Sequence, residues 1–382
     1  MKILIIHTHY FQAGGEDIVV EQELALLKKH YIVESLFFQN KKEFKGALQF
    51  FFSICNLWAA NKVRRKIKKF KPDVVHLHNW HFASGPWIIR TIKKMNIQIV
   101  VTLHNYRLIC PSGILLHNNK LFLDSLKQSF PWSAVTKKVY RNSLILTFWL
   151  SFIVWFHKKI GTWQMVDTYV CLTPFSVDLF QSSSFGIPKN KFTVKPNFTQ
   201  SPISSETQRR EDYFLFVGRL SEEKGIKILL EVFKELPYTL KIAGDGPLKQ
   251  LVEEASAKYS NIIYLGQLPK EKIIEGLQKA QALVFPSICF EGMPMIILEA
   301  FACSTPIISS NIGAMKSIIK HDANGFLFEC ENTKDFVNSI NRYILLTKDE
   351  KYILQRNALE SFKTNYSPEH QKFFFDKLYL NK

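Results

Sequence analysis

The 382 residues are too many for one ordinary core and suffice for two domains of comparable size. With 47% hydrophobic and 22% charged residues the composition is globular, which excludes a disordered chain, yet 32 Phe and 7 Trp are more bulky aromatics than a core usually demands. The net charge of +17 lies wholly in the first half: residues 1–200 carry 27 Lys and Arg against 10 Asp and Glu, and residues 201–382 carry 23 of each. Such asymmetry points to an anionic partner, either nucleic acid or the acidic leaflet of a membrane.

The chain opens on KILIIHTHY, a strand pattern with no signal-peptide cleavage site, so export by that route is not expected. Apolar, β-branched runs then recur at 2–8, 74–79 (VVHLHN), 99–105 (IVVTLHN) and 168–173 (TYVCLT), with helical stretches such as 16–30 between them. Alternating β and α predicts a parallel sheet. Two further segments combine aromatics with charge. ALQFFFSICNLWAANKVRRKIKKFK carries seven cations, and SLILTFWLSFIVWFHKK is an uncharged run ending in a basic cluster. At about 14 residues the second run is short for a membrane span and suits a buried or interfacial helix. Residues 197–212 (NFTQSPISSETQRRED) lack apolar periodicity and read as a linker. Beyond it FLFVGRL, TLKIAGDG, IIYLG, ALVFPS and PIISS are five more strand candidates, each followed by a helix-like segment. The expected fold class is therefore α/β, with two Rossmann-like domains: 1–200, and 201–364 followed by a helix over 365–382 that packs back on the first domain. The six cysteines have no CxxC or metal-ligand spacing and are expected to be reduced and buried, as in a cytosolic protein.

Ligands of doubly wound sheets bind beyond the carboxyl ends of the strands, and the unusual polar and glycine residues fall at such ends. After the first strand, Gly14 and Gly15 open a helix, where missing side chains let a phosphate approach backbone N–H groups. By itself a glycine pair marks an ordinary turn at least as often. After the first strand of the second half, Arg219 and Lys224 stand in GRLSEEKG and can converge on a diphosphate, Arg as a fork and Lys as a point charge. Gly244-Asp245-Gly246-Pro247 ends the next strand and reads as a turn. Glu291 and Glu299 flank Gly292, Met293 and Pro294 in FPSICFEGMPMIILEAFAC, the first at a helix entrance and the second inside it. A carboxylate in MIILEAF needs either a hydroxyl-rich ligand or a neighbouring cation to offset its burial.

Taken together, VGRLSEEKG, AGDGP and PSICFEGMPMIILEA over about residues 214–330 resemble the nucleotide-sugar domain of family 4 of the glycosyltransferases, the large retaining GT-B group. That resemblance implies two Rossmann-like domains facing each other across a cleft. It implies that Arg219 and Lys224 hold the donor diphosphate, that Glu299 binds the ribose, and that Glu291 with the amides of Gly292, Met293 and Pro294 contacts the transferred sugar. In the first half Gly14 and Gly15 match the family's glycine loop, and TLHNYRLICPSGILL resembles a bacterial subgroup with HNYR followed by CP and G. His104 takes the place of its active-site His. Phe122 and Ser125 stand where that subgroup carries a further cysteine pair, so any role of those cysteines is absent.

The implied reaction moves a sugar from a nucleotide diphosphate-sugar to a glycan or lipid-linked acceptor in surface-glycan assembly, with retention. Arg219, Lys224 and the loop amides would stabilise the departing diphosphate, so no metal and no cofactor is required, and no DxD-type motif occurs. The basic first half suggests peripheral contact with the anionic inner face of the membrane, the protein itself being cytoplasmic. An epimerase or hydrolase acting on the donor alone is the main alternative. A nucleic-acid-binding protein ranks low, because the cations alternate with apolar helical runs instead of with aromatics on a sheet face.

Overall fold

The computed structural model describes residues 1–11, 14–201 and 209–380. Gln12 and Ala13 of the glycine loop, and the middle of the linker at 202–208, lie outside the described residues. The chain divides into two compact units, the first formed by 1–115, 122–196 and 374–382, the second by 116–121 and 197–373.

In the first unit the elements run β1 (Lys2–His9), α1 (Gly15–Leu27), β2 (Ile32–Gln39), α2 (Glu43–Phe52), α3 (Leu57–Phe70), β3 (Val74–Leu77), α4 (Trp87–Lys93) and β4 (Gln98–Leu103). A short hairpin of β5 (Leu116–His117) and β6 (Lys120–Leu121) follows and clusters with the second unit. Then come α5 (Trp132–Thr136), α6 (Leu144–Lys159), β7 (Thr168–Cys171), α7 (Pro174–Ser182) and β8 (Phe192–Val194). The strands form one parallel sheet in the order β2-β1-β3-β4-β7-β8. Its central strand β3 is buried on both faces, which is why it reads as a continuous apolar run. The four expected strands are present. Two more lie at the edges, β2 with Glu34 and Ser35 inside it and the three-residue β8, and neither has an uninterrupted apolar pattern to announce it.

The second unit contains β9 (Tyr213–Val217), α8 (Ile226–Glu235), β10 (Thr239–Ala243), α9 (Lys249–Lys258), β11 (Ile262–Gly266), α10 (Lys270–Lys279), β12 (Ala282–Phe285) and α11 (Met295–Ala302). It continues with β13 (Ile307–Ser310), α12 (Gly313–Ile318), β14 (Gly325–Phe328), α13 (Thr333–Leu345), α14 (Lys348–Asn365) and α15 (Pro368–Leu380). All six strands are parallel in the order β11-β10-β9-β12-β13-β14, one more than the five expected. Leu229, Leu230 and Phe233 of α8 pack with Phe336 and Ile340 of α13 on one face of this sheet, around Phe214, Phe216 and Val284.

Both sheets reverse strand order beside their first strand, between β1 and β3 in one and between β9 and β12 in the other. Loops leaving neighbouring strands at such a point diverge and leave a crevice at the carboxyl ends. From Phe374 onward α15 belongs to the first unit, where Tyr379 meets His76 at 2.6 Å and Tyr31 donates to Asp376. All six cysteines are free; four are buried, Cys330 is half-buried, and Cys55 is exposed, contrary to the expectation of uniformly buried thiols.

Candidate active site

In the second unit, the loops after β9 and β12 are stitched together before any ligand is considered. Ile288 N–H and Ser287 Oγ both donate to the Glu223 carbonyl at 3.0 Å. The contact is so close that a Cβ at Gly225 would lie 1.9 Å from the Pro286 carbonyl oxygen, and Gly225 has φ +73°, a conformation open to glycine. This fixes Lys224, the residue before it, against the opposite loop. Its ammonium lies 2.6 Å from Glu291 Oε1, which also accepts from Ser287 Oγ at 2.8 Å. Burial works against the Lys224 charge, but Glu291, with Cys289 and Glu223 behind it, more than compensates, and the lysine is held above its ordinary range. Arg219, just past the end of β9, is exposed.

Gly292, Met293 and Pro294 complete the approach to α11. Met293 is buried, its sulfur accepting from Asn197 N–H at 3.1 Å and its carbonyl from Asn197 Nδ2 at 3.3 Å. Glu299 lies on the second turn of α11 with 13% of its side chain exposed. Burial pushes its carboxyl above the ordinary range, and Lys270, the first residue of α10, opposes this from 3.5 Å. The neighbouring cation that would suffice to explain this carboxylate is therefore present, although its own side chain is half in solvent.

In the first unit, Gly14 caps α1. Gly14 N–H donates to Asp17 Oδ2 at 2.8 Å, while His7 Nε2 and His9 Nδ1 reach Asp17 Oδ1 at 2.8 and 2.9 Å. Burial alone would raise the Asp17 carboxyl; the bonds from His7, Gly14 and His9 outweigh it and hold the acid ionised below its usual range. Neither Gly14 nor Gly15 has positive φ, and a Cβ built on either meets nothing within 4 Å. Packing does not require glycine at either position, and an ordinary helix-entry turn and a ligand contact are equally compatible with that. Next to them, burial pushes the Glu16 carboxyl up to about 8 against the pull of Arg107 and a hydrogen bond from Tyr10.

His104 follows β4 and bonds through Nε2 to His78 Nδ1 at 3.0 Å, with the two rings stacked. Burial drives its pKa down to about 3, so the ring is neutral near pH 7 and serves as a hydrogen-bonding group, not a cation. The sequence reasoning did not single out His7, His9, Asp17, Glu23, His76, His78 or Lys195, which form a polar layer under His104 and Gly14, buried except for the half-buried His9. The signal was present: β1 ends in His9, His78 and His104 directly follow β3 and β4, and His76 and His78, two residues apart, share a sheet face. Among the described residues, His7, His9 and Asp17, and separately Glu23, His76 and His78, bring donor atoms within 4.8 Å of one another. In the first group Asp17 already accepts from two imidazoles; in the second, Thr102 and Tyr379 engage both nitrogens of His76, whereas Glu23 Oε2 and His78 Nε2 have no hydrogen-bond partner.

Comparison with known proteins gives the family and the fold. The family description "Glycosyltransferase Family 4" matches residues 45–200 and "Glycosyl transferases group 1" matches residues 198–359. An uncharacterized glycosyltransferase of Methanocaldococcus jannaschii is 33% identical over 353 residues, 89% of this chain and 87% of its own. The lipopolysaccharide 1,6-galactosyltransferase of Escherichia coli K12 is 29% identical over 359 residues, 90% of this chain and 89% of its own. Among solved structures, the lipopolysaccharide outer core galactosyltransferase WaaB in its apo form superposes with a TM-score of 0.68 at 18% identity, over 100% of both chains. Anabaena HepE in complex with UDP does so with a TM-score of 0.67 at 15% identity, over 99% of both. The chain belongs to family 4 of the glycosyltransferases and has the two-unit GT-B fold.

Proposed function

We propose that the protein transfers a sugar from a nucleotide diphosphate-sugar to a glycan or lipid-linked acceptor in surface-glycan assembly, with retention of anomeric configuration and without a metal. The observation that carries this reading is the Lys224–Glu291 pair, a cation and a carboxylate set side by side where β9 and β12 diverge. Breaking the anomeric bond builds negative charge on the departing diphosphate and positive charge on the sugar. Lys224 with the exposed Arg219 suits the first charge. Glu291 suits a sugar hydroxyl and Glu299 the ribose hydroxyls; within the first unit, the Gly14–Gly15 amides suit a phosphate and neutral His104 a sugar hydroxyl. Front-face attack assisted by the donor phosphate is the route that family resemblance implies for retention. Relatives described as a lipopolysaccharide 1,6-galactosyltransferase and an O-antigen chain mannosyltransferase support the surface-glycan assignment.

The reading extends to a cytoplasmic protein held peripherally at the inner face of the membrane, with no nucleic-acid partner. Among the described residues no helix is long and apolar enough to cross a membrane. The support is a patch on the first unit, where the ring of Trp149 of α6 lies tilted against that of Phe51 of α2 at 5.7 Å and its indole N–H donates to the Phe50 carbonyl at 3.2 Å, beside the basic α3.

Turnover of the Arg219→Ala and Lys224→Ala variants tests the central claim. Groups that meet charge developing on the leaving group lower kcat more than they raise donor KM, by about 100-fold for Lys224. A change confined to KM would reduce them to binding groups. Release of free sugar or an epimer at undiminished rate without any acceptor would favour the hydrolase or epimerase instead.

A further inference from the structure

Beneath His104 lies a chain of buried groups whose protons are not free to choose their positions. Lys195, which follows β8, and Glu23, on α1, form an ion pair at 2.6 Å with side chains only 2% and 1% exposed. That pair occupies Glu23 Oε1. The other oxygen, Oε2, is buried without a hydrogen-bond partner, and so is His78 Nε2, which lies 3.6 Å from it. Two unpartnered buried atoms therefore face each other. The second nitrogen of His78 is spent on His104 Nε2 at 3.0 Å. Neighbouring His76 cannot relieve the arrangement, because Tyr379 and Thr102 take both its nitrogens at 2.6 and 2.7 Å.

An ion-paired carboxylate oxygen only accepts, so a proton on His78 Nε2 is attracted to Glu23, whereas a lone pair there would set two buried acceptors face to face. A neutral imidazole has one N–H. Burial, followed by His104, His7 and Lys195, keeps His78 well below its ordinary pKa and thus neutral. With the proton on Nε2, His78 Nδ1 is an acceptor, and the 3.0 Å bond then requires His104 Nε2 to donate. The relay ends at the one ring nitrogen that remains.

Accepting that His104 meets the donor sugar, we infer that Glu23, acting through His78, holds His104 in its Nε2–H tautomer, so that Nδ1 engages a sugar hydroxyl as an acceptor. Glu23, Lys195 and His78 are positioning residues. The consequence is selectivity: the site recognises a sugar position that carries a hydroxyl able to donate, and disfavours one bearing an ether or only hydrogen. The reading deepens the function proposed above and rests on it for the sugar contact, but the tautomer can be observed without any substrate.

The test is a long-range 1H–15N correlation spectrum of the whole protein labelled with 15N-histidine, with His78 and His104 assigned from His78→Gln and His104→Gln variants. At neutral pH both rings are expected to show a protonated Nε2 and an unprotonated Nδ1. A His104 ring protonated on Nδ1, or an equal mixture of tautomers, overturns the inference. In Glu23→Gln/Lys195→Met, which removes the ion pair without stranding a charge, the His104 signals are expected to move toward the other tautomer and kcat/KM to fall about tenfold. Unchanged His104 signals in that folded variant would also overturn it, and if the variant does not fold the wild-type spectrum decides alone. Undiminished transfer by His104→Ala overturns the sugar contact, and with it this part of the proposed function, while leaving the measured tautomer as it stands.

Discussion

Glu299 has two explanations that a substitution pair separates. If the carboxylate exists to hold ribose hydroxyls, Glu299→Ala weakens nucleotide binding by about tenfold, the worth of one to two hydrogen bonds to a charged acceptor, with the melting temperature nearly unchanged. Lys270 is half in solvent, so removing its partner strands no buried charge. If the carboxylate exists only to pair with Lys270, affinity for the nucleotide diphosphate measured by calorimetry stays at the wild-type value. Lys270→Ala supplies the complement: loss of a salt bridge alone leaves affinity intact and raises the Glu299 carboxyl further, since the opposing charge is gone. The same logic explains why Lys224 and Glu291 stood out in the sequence as candidate site residues yet not as a pair. Their types and order name the chemistry, but the 2.6 Å contact depends on strand order, which places β9 beside β12.

Glycines that look alike in the sequence have opposite duties at the level of elements. At Gly225 a methyl group would strike the Pro286 carbonyl in a left-handed backbone, so Gly225→Ala is expected to destabilise the second unit by about 3 kcal/mol, read as a lower urea midpoint. At Gly14 a methyl group meets nothing, so Gly14→Ala is expected to keep stability within about 0.5 kcal/mol, and on the proposed reading of the glycine pair as a diphosphate contact it is expected to lower transfer activity. Wild-type activity in Gly14→Ala would return this glycine to the status of a turn residue. Strands showed the same split between what patterning reveals and what it hides. β3, β9, β12 and β13 are buried along their whole length and stood out as apolar runs. The edge strands β2 and β8 are only partly buried, so polar residues interrupt or shorten their pattern. The polar layer of His7, His76, His78 and Glu23 was hidden for a related reason, since it is assembled from β1, the end of β3 and α1, and each contributes too little to form a motif.

Acid and membranes probe the whole molecule through the same first unit. His76, His78 and His81 are held well below 6.5, with His104 at about 3 and His157 at about 4, chiefly by burial in every case. The unfolded chain therefore takes up protons on these rings below pH 6.5 that the folded chain refuses. Stability is unaffected by them above that pH and falls, by up to about 1.4 kcal/mol per pH unit for each ring, as pH drops toward 4. Glu16 acts in the opposite sense, since its carboxyl at about 8 makes the fold gain stability as pH falls from 8 to 4.5. The melting temperature is thus expected to be nearly flat, or to rise slightly, from pH 8 to 6.5 and then to fall steeply; a flat profile down to pH 5 would contradict the neutral, buried histidines.

The membrane prediction turns on which residues of the basic half face solvent. On α3, Ala59, Ala60, Val63, Ile67 and Phe70 are buried, leaving Lys62, Arg64, Arg65, Lys68 and Lys69 exposed. Purely electrostatic attachment would need nothing more. Beside these cations, however, Phe52 is 65% exposed, Trp58 67% and Ile145 67%, and α2 and α6 are joined through Phe51 and Trp149. Side chains of that size left in water, next to charge of one sign, suit insertion among anionic headgroups, where apolar burial and electrostatic attraction reinforce each other. Flotation with anionic liposomes across a salt series measures the two contributions separately. Binding is expected at low salt, with a fraction persisting at 1 M salt, where the screening length is about 3 Å. Phe52→Ser/Trp58→Ser/Ile145→Ser is expected to abolish the persistent fraction while keeping the low-salt binding, because the cations of α3 remain. Equal loss of wild-type and variant binding as salt rises would leave only electrostatic attachment, and no binding to anionic liposomes at low salt would reject the membrane role and favour a soluble acceptor.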